Sequence, residues 1–452
     1  MNLKYDPQLY TEHLIKMCQV PTVSSADHDK TRVAEFEKLH KVLEECYPTV
    51  HKKMKKEIVG LCGLLYHFES NHASGKLPLM LIAHQDVVPE GDHSMWNYPP
   101  YACELHDGIL TGRGVTDSKN NIMGYMDALE LLFNEGWEPD YDLYLGYGYN
   151  EEVMGAPGAA APQIVAVLES RGVKLGALID ECGGINAKKD GGWFGEIDIC
   201  EKGYLDVEFS ALDNGGHSCA PAKKNALVKL AETMIAIDEN PMPPFMSPVV
   251  VTQLKAQHKH GLIANDELDA LCDDVEGNWD KIVAVCEKDR LLNPLIRTTS
   301  AITMCEGSAQ ANIIPEKATL IVNNRILPGQ TKEDLLAHFE KLLPEGVTMR
   351  VVKGDNPPAV QSVESNMFKM LEGIVADMYD GAPLIPMLLT GGTDSRYYCG
   401  ICPTDSCYRF TGMKHDGRSG GAHQVNEHVA VDILAADVEM YVNILTRYSK
   451  EG

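Results

Sequence analysis

The sequence predicts an α/β protein: a mainly parallel sheet sandwiched by helices, interrupted by a smaller inserted α+β domain. Three observations carry this reading. Short apolar runs alternate with amphipathic helical patterns over the first 185 residues, as in a sheet covered on both faces. Beyond about residue 195 the runs alternate apolar with polar residues, as in a sheet with one open face. After DNPPAV (355–360) the first pattern returns. The expected division is one domain in two parts, 1–195 and 356–452, with 196–355 inserted between them.

The elements follow in order. A short amphipathic helix opens near Pro7, and Val33, Phe36, Leu39, Val42 and Leu43 share one face of a second. Leu79 to Ala83 (LMLIA), bounded by Pro78 and a polar cluster, is too short for a helix and reads as a buried strand. Ser118 to Glu135 reads as a helix with Ile122, Tyr125, Met126, Leu129 and Leu132 inward. Asp142 to Tyr149 and Ala177 to Ile179 are further buried strands. In the insertion, alternating stretches over 195–212 precede a helix over 225–237. NPMPPF (240–245) opens an acidic segment, expected to be irregular, that runs to about 299. A strand (317–325), a helix (331–342) and a strand (347–353) complete a sheet covered on one face. From 365 come a helix, the Gly-rich loop TGGTDSR, and a final helix expected from about Asn426 to Tyr448.

Composition narrows the function. The 452 residues are 44% hydrophobic and 23% charged, ordinary for a globular protein, and carry a formal charge of −25. Such a chain is repelled by phosphate backbones and anionic lipid, which argues against nucleic-acid or membrane partners, but it attracts cations. No uncharged apolar run approaches the ~20 residues of a membrane span, and the first thirty residues lack a secretory leader pattern. Thirteen scattered cysteines suit reduced thiols, so a cytoplasmic protein is expected. Cys399, Cys402 and Cys407 read as ordinary buried or loop cysteines, because a lone Cys-x-x-Cys lacks the second pair of a zinc site.

Four buried runs end in acidic residues or histidine. LMLIA runs into His84-Gln85-Asp86, and the two-residue period puts His84 and Asp86 on one side. GRGVTDSK places Asp117 on a turn before a helix; LGYGYN leads to Glu151 and Glu152, and GALI to Asp180 and Glu181. Alone, each reads as a helix cap or a solvated loop residue. Together they meet at the carboxyl ends of strands, where open α/β sheets bind ligands. Carboxylates converging without Lys or Arg need a neutralising cation, and a mixture with imidazole suits zinc, with cobalt or manganese as alternatives.

HQDVVP, the stretch from Trp96 to Lys119, NEEVMG, DECGG, GGHSCAP, NIIP, NNRILPG, GGTDSR and AHQVNEH follow one another in this order over roughly residues 80–430. The set resembles the di-zinc exopeptidase family of aminoacylase, carboxypeptidase G and succinyl-diaminopimelate desuccinylase. It looks most like the carboxypeptidase S branch, which also contains N-acyl amino acid hydrolases. The resemblance implies two divalent ions per chain, held by His84 and Asp180 on one side and by Glu152 and His423 on the other, with Asp117 bridging. Asp180 fits the branch pattern, although either Asp180 or Glu181 can face the metal. Asp86 would orient His84, and Glu151 would be the general base.

From the inserted lid and dimerisation domain, the resemblance implies that His217 stabilises the tetrahedral intermediate, usually from a partner subunit. Arg325 and Asn312 would grip the substrate's carboxylate, with backbone donors from the loop of Gly391, Gly392 and Thr393. Arg396 is either a further anchor or a structural ion pair. Gln424 stands where the family usually has Gly, and Cys219 where a small hydroxyl residue is common. The expected activity is hydrolysis of an amide bond beside a free carboxylate, in a peptide or an N-acyl amino acid, by a homodimer. A dipeptidase of the family would want an acidic group near the substrate's amine, which the sequence does not reveal. A catalytically silent metal-binding paralogue would lack Glu151 or a ligand, and this chain retains them.

Overall fold

The computed structural model describes residues 3–153 and 158–452, so Met154 and Gly155 of the NEEVMG motif lie outside the described residues. The chain forms two compact units. The first comprises 1–199, 361–386 and 393–452, the second 200–360 and 387–392.

The first unit is the expected α/β layer structure, built on a mixed sheet. Its centre is parallel: Leu143–Gly148, Leu79–His84, Ala177–Asp180 and Cys407–Arg409 lie side by side in that order. The flanking strands Lys55–Val59 and Gly63–Phe68 join antiparallel, as does Trp193–Glu201 at Arg409. Only strands buried on both faces need continuous apolar runs, so the parallel centre is the part that the sequence pattern reports. In register, His84 pairs with Gly148, Leu81 with Ile179 and Arg409 with Asp180, so the carboxyl ends of these strands lie along one edge. Met80, Ile82, Leu178 and Cys407 pack on one face with Ile164 and Leu168 of the helix Ala160–Ser170. The helix Lys119–Asn134 packs on the Leu79–His84 strand and on the last helix.

The last helix begins later than the sequence pattern implies, at Leu434, and runs to Glu451. His428–Ala430 is instead a strand paired with Ile109–Thr111. The three β-branched residues of VAVDI (429–433) suit an extended segment, and the helical apolar spacing belongs to the residues after them.

The second unit holds a four-stranded antiparallel sheet in the order Thr299–Glu306, Lys317–Ile326, Gly203–Leu212, Val347–Asp355. Leu205, Val207 and Phe209 with Leu320 and Val322 form its buried face, under the helices Ala226–Glu239 and Lys332–Glu340. Residues 240–299 are not irregular. They include the helices Pro248–Lys259 and Trp279–Cys286, which Pro248 and the buried Ile282, Val285 and Cys286 account for. Among the described residues no helix is long and apolar enough to cross a membrane.

Asp437 on the last helix is fully buried, and burial pushes its carboxyl up to about 8. The folded chain therefore holds a proton there that the unfolded chain, with a carboxyl near 3.8, releases. Its contribution to stability is fully present below the unfolded value and is lost as pH rises toward 8. Asp437→Asn is expected to flatten the fall in melting temperature between pH 5 and pH 8, where one proton accounts for up to about 1.4 kcal/mol per pH unit. Parallel thermal melts of the two proteins would check it; identical slopes would refute the assignment.

Candidate metal centre

His84, Asp86, Asp117, Glu151, Glu152, Asp180, Glu181 and His423 all belong to the first unit. His84 closes its strand at 1% exposure. Its Nδ1 bonds the main-chain carbonyl of Asp86 at 2.9 Å, which fixes the tautomer and leaves the Nε2 lone pair pointing into the site. The orienting acceptor is thus the backbone of Asp86, while the carboxylate stands 3.4 Å from the same nitrogen. That carboxylate is engaged with the neighbouring turn, since its two oxygens accept the backbone N–H groups of Glu151 at 3.2 Å and Glu152 at 3.1 Å. The turn after Leu143–Gly148 is thereby tied to the end of its neighbour. Gln85, on the opposite side of the chain, donates to the carbonyls of Cys62 and Tyr147, each at 2.9 Å.

Asp117 stands between two imidazoles. Its Oδ1 lies 2.9 Å from His84 Nε2 and its Oδ2 lies 3.2 Å from His423 Nε2. His423 also meets Glu152 at 2.8 Å, and His84 meets Glu181 at 3.3 Å. Two donor groups result, His84 with Asp117 and Glu152, and His84 with Glu151 and Glu181, each compact enough to hold a metal ion. His84, Asp86, Asp117, Glu151, Glu152 and His423 are therefore brought together as expected.

Asp180 is not part of this gathering. Its oxygens accept from the backbone N–H groups of Glu181 at 2.9 Å and Ser395 at 3.0 Å, so it anchors the 393–395 loop. The next residue, Glu181, turns toward His84 instead. Consecutive side chains at a strand end point opposite ways, so only one of the two can face the site. Arg396 donates through Nε to the carbonyl of Thr393 at 3.0 Å, and the hydroxyls of Thr393 and Ser395 are 2.5 Å apart. These contacts brace the loop. In the second unit, the antiparallel pairing of Gly216–His217 with Ile313–Ile314 brings His217 and Asn312 to one open cleft of about 520 Å³. Arg325, on the sheet face opposite the apolar core, lies over the Tyr204 ring at 4.9 Å.

Sequence reasoning missed Asp394. A Cβ at Gly148 would stand 2.6 Å from its Oδ2, so the strand end must be glycine for this carboxylate to approach. The signal lies in TGGTDSR itself, where an acidic residue directly follows the backbone donors of the loop.

The electrostatics are those of crowded anions. Burial and the charge of Glu181 push Glu151 well above the usual carboxylate range. Burial pushes Glu181 up to about 7, against the pull of His84. Burial opposes a charge on His84, but Glu181, Asp117 and Asp86 outweigh it and hold the imidazole well above its ordinary value. Asp117 and Glu152 raise His423 to about 10. Imidazoles that retain protons beside carboxylates that gain them are two faces of one excess of negative charge. Divalent cations remove the conflict without protons, and neutral imidazole with carboxylate oxygen is a donor set they take. The residues present fit the metals that the motifs implied.

Comparison with known proteins agrees. Residues 80–447 match the model of peptidase family M20/M25/M40. The chain belongs to this family. An M20 member is a metal-dependent hydrolase, and relatives match along nearly the whole chain. The human N-fatty-acyl-amino acid synthase/hydrolase PM20D1 is 31% identical, covering 94% of this chain and 85% of that protein. Carboxypeptidase S of Saccharomyces cerevisiae is 28% identical, covering 96% and 84%. The M20 metallo-carboxypeptidase Sso-CP2 of Sulfolobus solfataricus has the same fold, with a TM-score of 0.68 at 18% identity over 97% and 99% of the two chains.

Asp117→Asn keeps the size of this M20 side chain and removes its charge. It is expected to weaken zinc retention by at least about 10-fold, read by emission spectroscopy after dialysis against a graded chelator. Retention equal to the parent protein would mean that Asp117 is not a ligand.

Proposed function

We propose that this M20 chain hydrolyses an amide bond beside a free carboxylate, in a peptide's C-terminal bond or an N-acyl amino acid, with two divalent ions. The observation that carries this reading is the Asp117 carboxylate, with one oxygen turned to each of two imidazoles at 2.9 and 3.2 Å. Paired metals need a shared anion between them. His84, Asp117 and Glu181 would hold one ion, and Asp117, Glu152 and His423 the other. Zinc is the assigned metal, with cobalt and manganese as alternatives. Bound, such ions polarise the scissile carbonyl and lower the pKa of a water toward ~7.

The chain's own groups do the rest. Glu151, half-buried beside His84 and Glu181, takes a proton from the attacking water and returns it to the leaving amine. Asp86 holds the backbone of Glu151 and Glu152 and, through its carbonyl, the ring of His84. The resemblance supports Arg325 and Asn312 as the grip on the substrate's carboxylate, since a guanidinium fork matches a planar anion. Gly392 and Thr393 add backbone donors, and His217 stabilises the oxyanion as the tetrahedral intermediate forms. The resemblance supports a homodimer through the inserted domain. Thirteen cysteine thiols, spread through the chain, support a reducing, cytoplasmic setting.

A hydrolysis panel of dipeptides, longer peptides, and short- and long-chain N-acyl amino acids, with added zinc, cobalt or manganese and with chelator, tests the proposal. Turnover that survives complete chelation on every substrate would refute it. Glu151→Gln is expected to lower kcat by about 10² to 10⁴ while leaving metal content unchanged; parental turnover would remove Glu151 as the base. Arg325→Ala is expected to raise KM mainly for substrates with a free carboxylate. An equal loss on their amidated analogues would count against that anchor.

A further inference from the structure

Of the AHQVNEH motif, metal binding uses only the first histidine, and the most heavily bonded residue of the segment is another one. Glu427, four residues beyond His423, is fully buried. One carboxylate oxygen accepts from Arg113 Nη1 at 2.8 Å and from the Gly114 N–H at 3.0 Å. The other accepts from the Thr116 N–H at 2.8 Å and from its hydroxyl at 2.9 Å. The main-chain carbonyl of Glu427 takes the Gly112 N–H at 2.9 Å, extending the ladder between His428–Ala430 and Ile109–Thr111. One side chain and its own backbone thus hold residues 112, 113, 114 and 116, and the next residue is Asp117.

The other side of Glu427 is equally constrained. Gly420 and His428 exchange two main-chain hydrogen bonds of 2.9 Å, closing the loop that carries His423. Arg113 is 2% exposed, and its guanidinium lies over the Trp96 ring at 5.3 Å, so the cation is held in place. A buried ion pair is a costly way merely to fill space, since apolar residues of similar volume do so as well or better. What this pair joins are the segment ending in Asp117 and the loop presenting His423, whose side chains stand 3.2 Å apart.

We infer that Glu427 is a positioning residue that sets Asp117 against His423 and thereby tunes metal affinity at the Asp117–Glu152–His423 half of the centre. This rests on the two-metal reading above. Carboxylates that brace ligand-bearing segments typically change metal affinity by about 10- to 100-fold when altered. Glu427→Gln turns one acceptor into a donor that must face an existing N–H, so it loosens the clamp without emptying it. Thr116→Val removes only the hydroxyl contact.

The test is a stepwise zinc titration of the metal-depleted full chain against a competing chromophoric chelator, with total metal by emission spectroscopy and a thermal melt. The parent protein is expected to fill in two steps. Glu427→Gln should weaken one step by about 10- to 100-fold and leave the other within about 3-fold. Thr116→Val, with an unchanged melt, should weaken the same step by a smaller factor, and it decides the question if Glu427→Gln does not fold. Two steps unchanged in a folded variant would overturn the inference. So would two steps that fall together in proportion to lost melting temperature, which is what a purely structural role produces. A parent chain that takes up fewer than two zinc ions would instead overturn the two-metal reading, and this inference with it.

Discussion

Imidazole lone pairs and partly buried carboxylates repel each other, and in this chain they are held within about 3 Å of one another. Asp117 meets both His84 and His423, Glu181 meets His84, and Glu152 meets His423. Within the polypeptide it is protons that relieve this, as the raised imidazole and glutamate values record. The surrounding architecture makes sense as the means of keeping unfavourable neighbours together until a cation arrives. Parallel register delivers His84, the Glu151–Glu152 turn and Asp180–Glu181 to one edge, and hydrogen bonds beyond the donors stop them from spreading.

Those outer hydrogen bonds share a property. The carboxylates nearest the donors accept backbone N–H groups, with the charge of Arg409 acting on Asp180 as well. Asp86 takes those of Glu151 and Glu152, and Asp180 takes those of Glu181 and Ser395. A backbone dipole orients an anion while neutralising little of its charge. A guanidinium at the same place would satisfy the site electrostatically and compete with the metal. Arg113, which does lie nearby, pairs with Glu427, whose charge lies outside the donor set.

Much of this was legible because parallel strands are uninterrupted apolar words and their ends are easily seen. LMLIA, LYLGYG and ALI marked the strands, and the polar residues after them marked the site. What escaped depended on contacts distant in sequence. Asp180 or Glu181 was undecidable from parity alone, because the choice turns on Ser395, 215 residues away, offering its N–H to Asp180. Asp394 was hidden because its approach depends on a missing Cβ at Gly148. The helices within 240–299 carry short apolar faces diluted by acidic residues, and a pattern that weak does not separate from a loop. Mixed pairing at the sheet's flanks was invisible for a similar reason, since direction is a property of connections rather than of composition.

The first unit is discontinuous in sequence, and that has a temporal meaning. His84 and Glu152 emerge early during synthesis, whereas His423 follows only after the whole second unit has been made. A nascent chain therefore carries the site's carboxylates for more than half of its translation before His423, and the Ser395 and Glu427 contacts that set them in place, exist. The site also joins the opening and closing parts of the polypeptide, since Asp117 and Glu152 from the first meet His423 from the last.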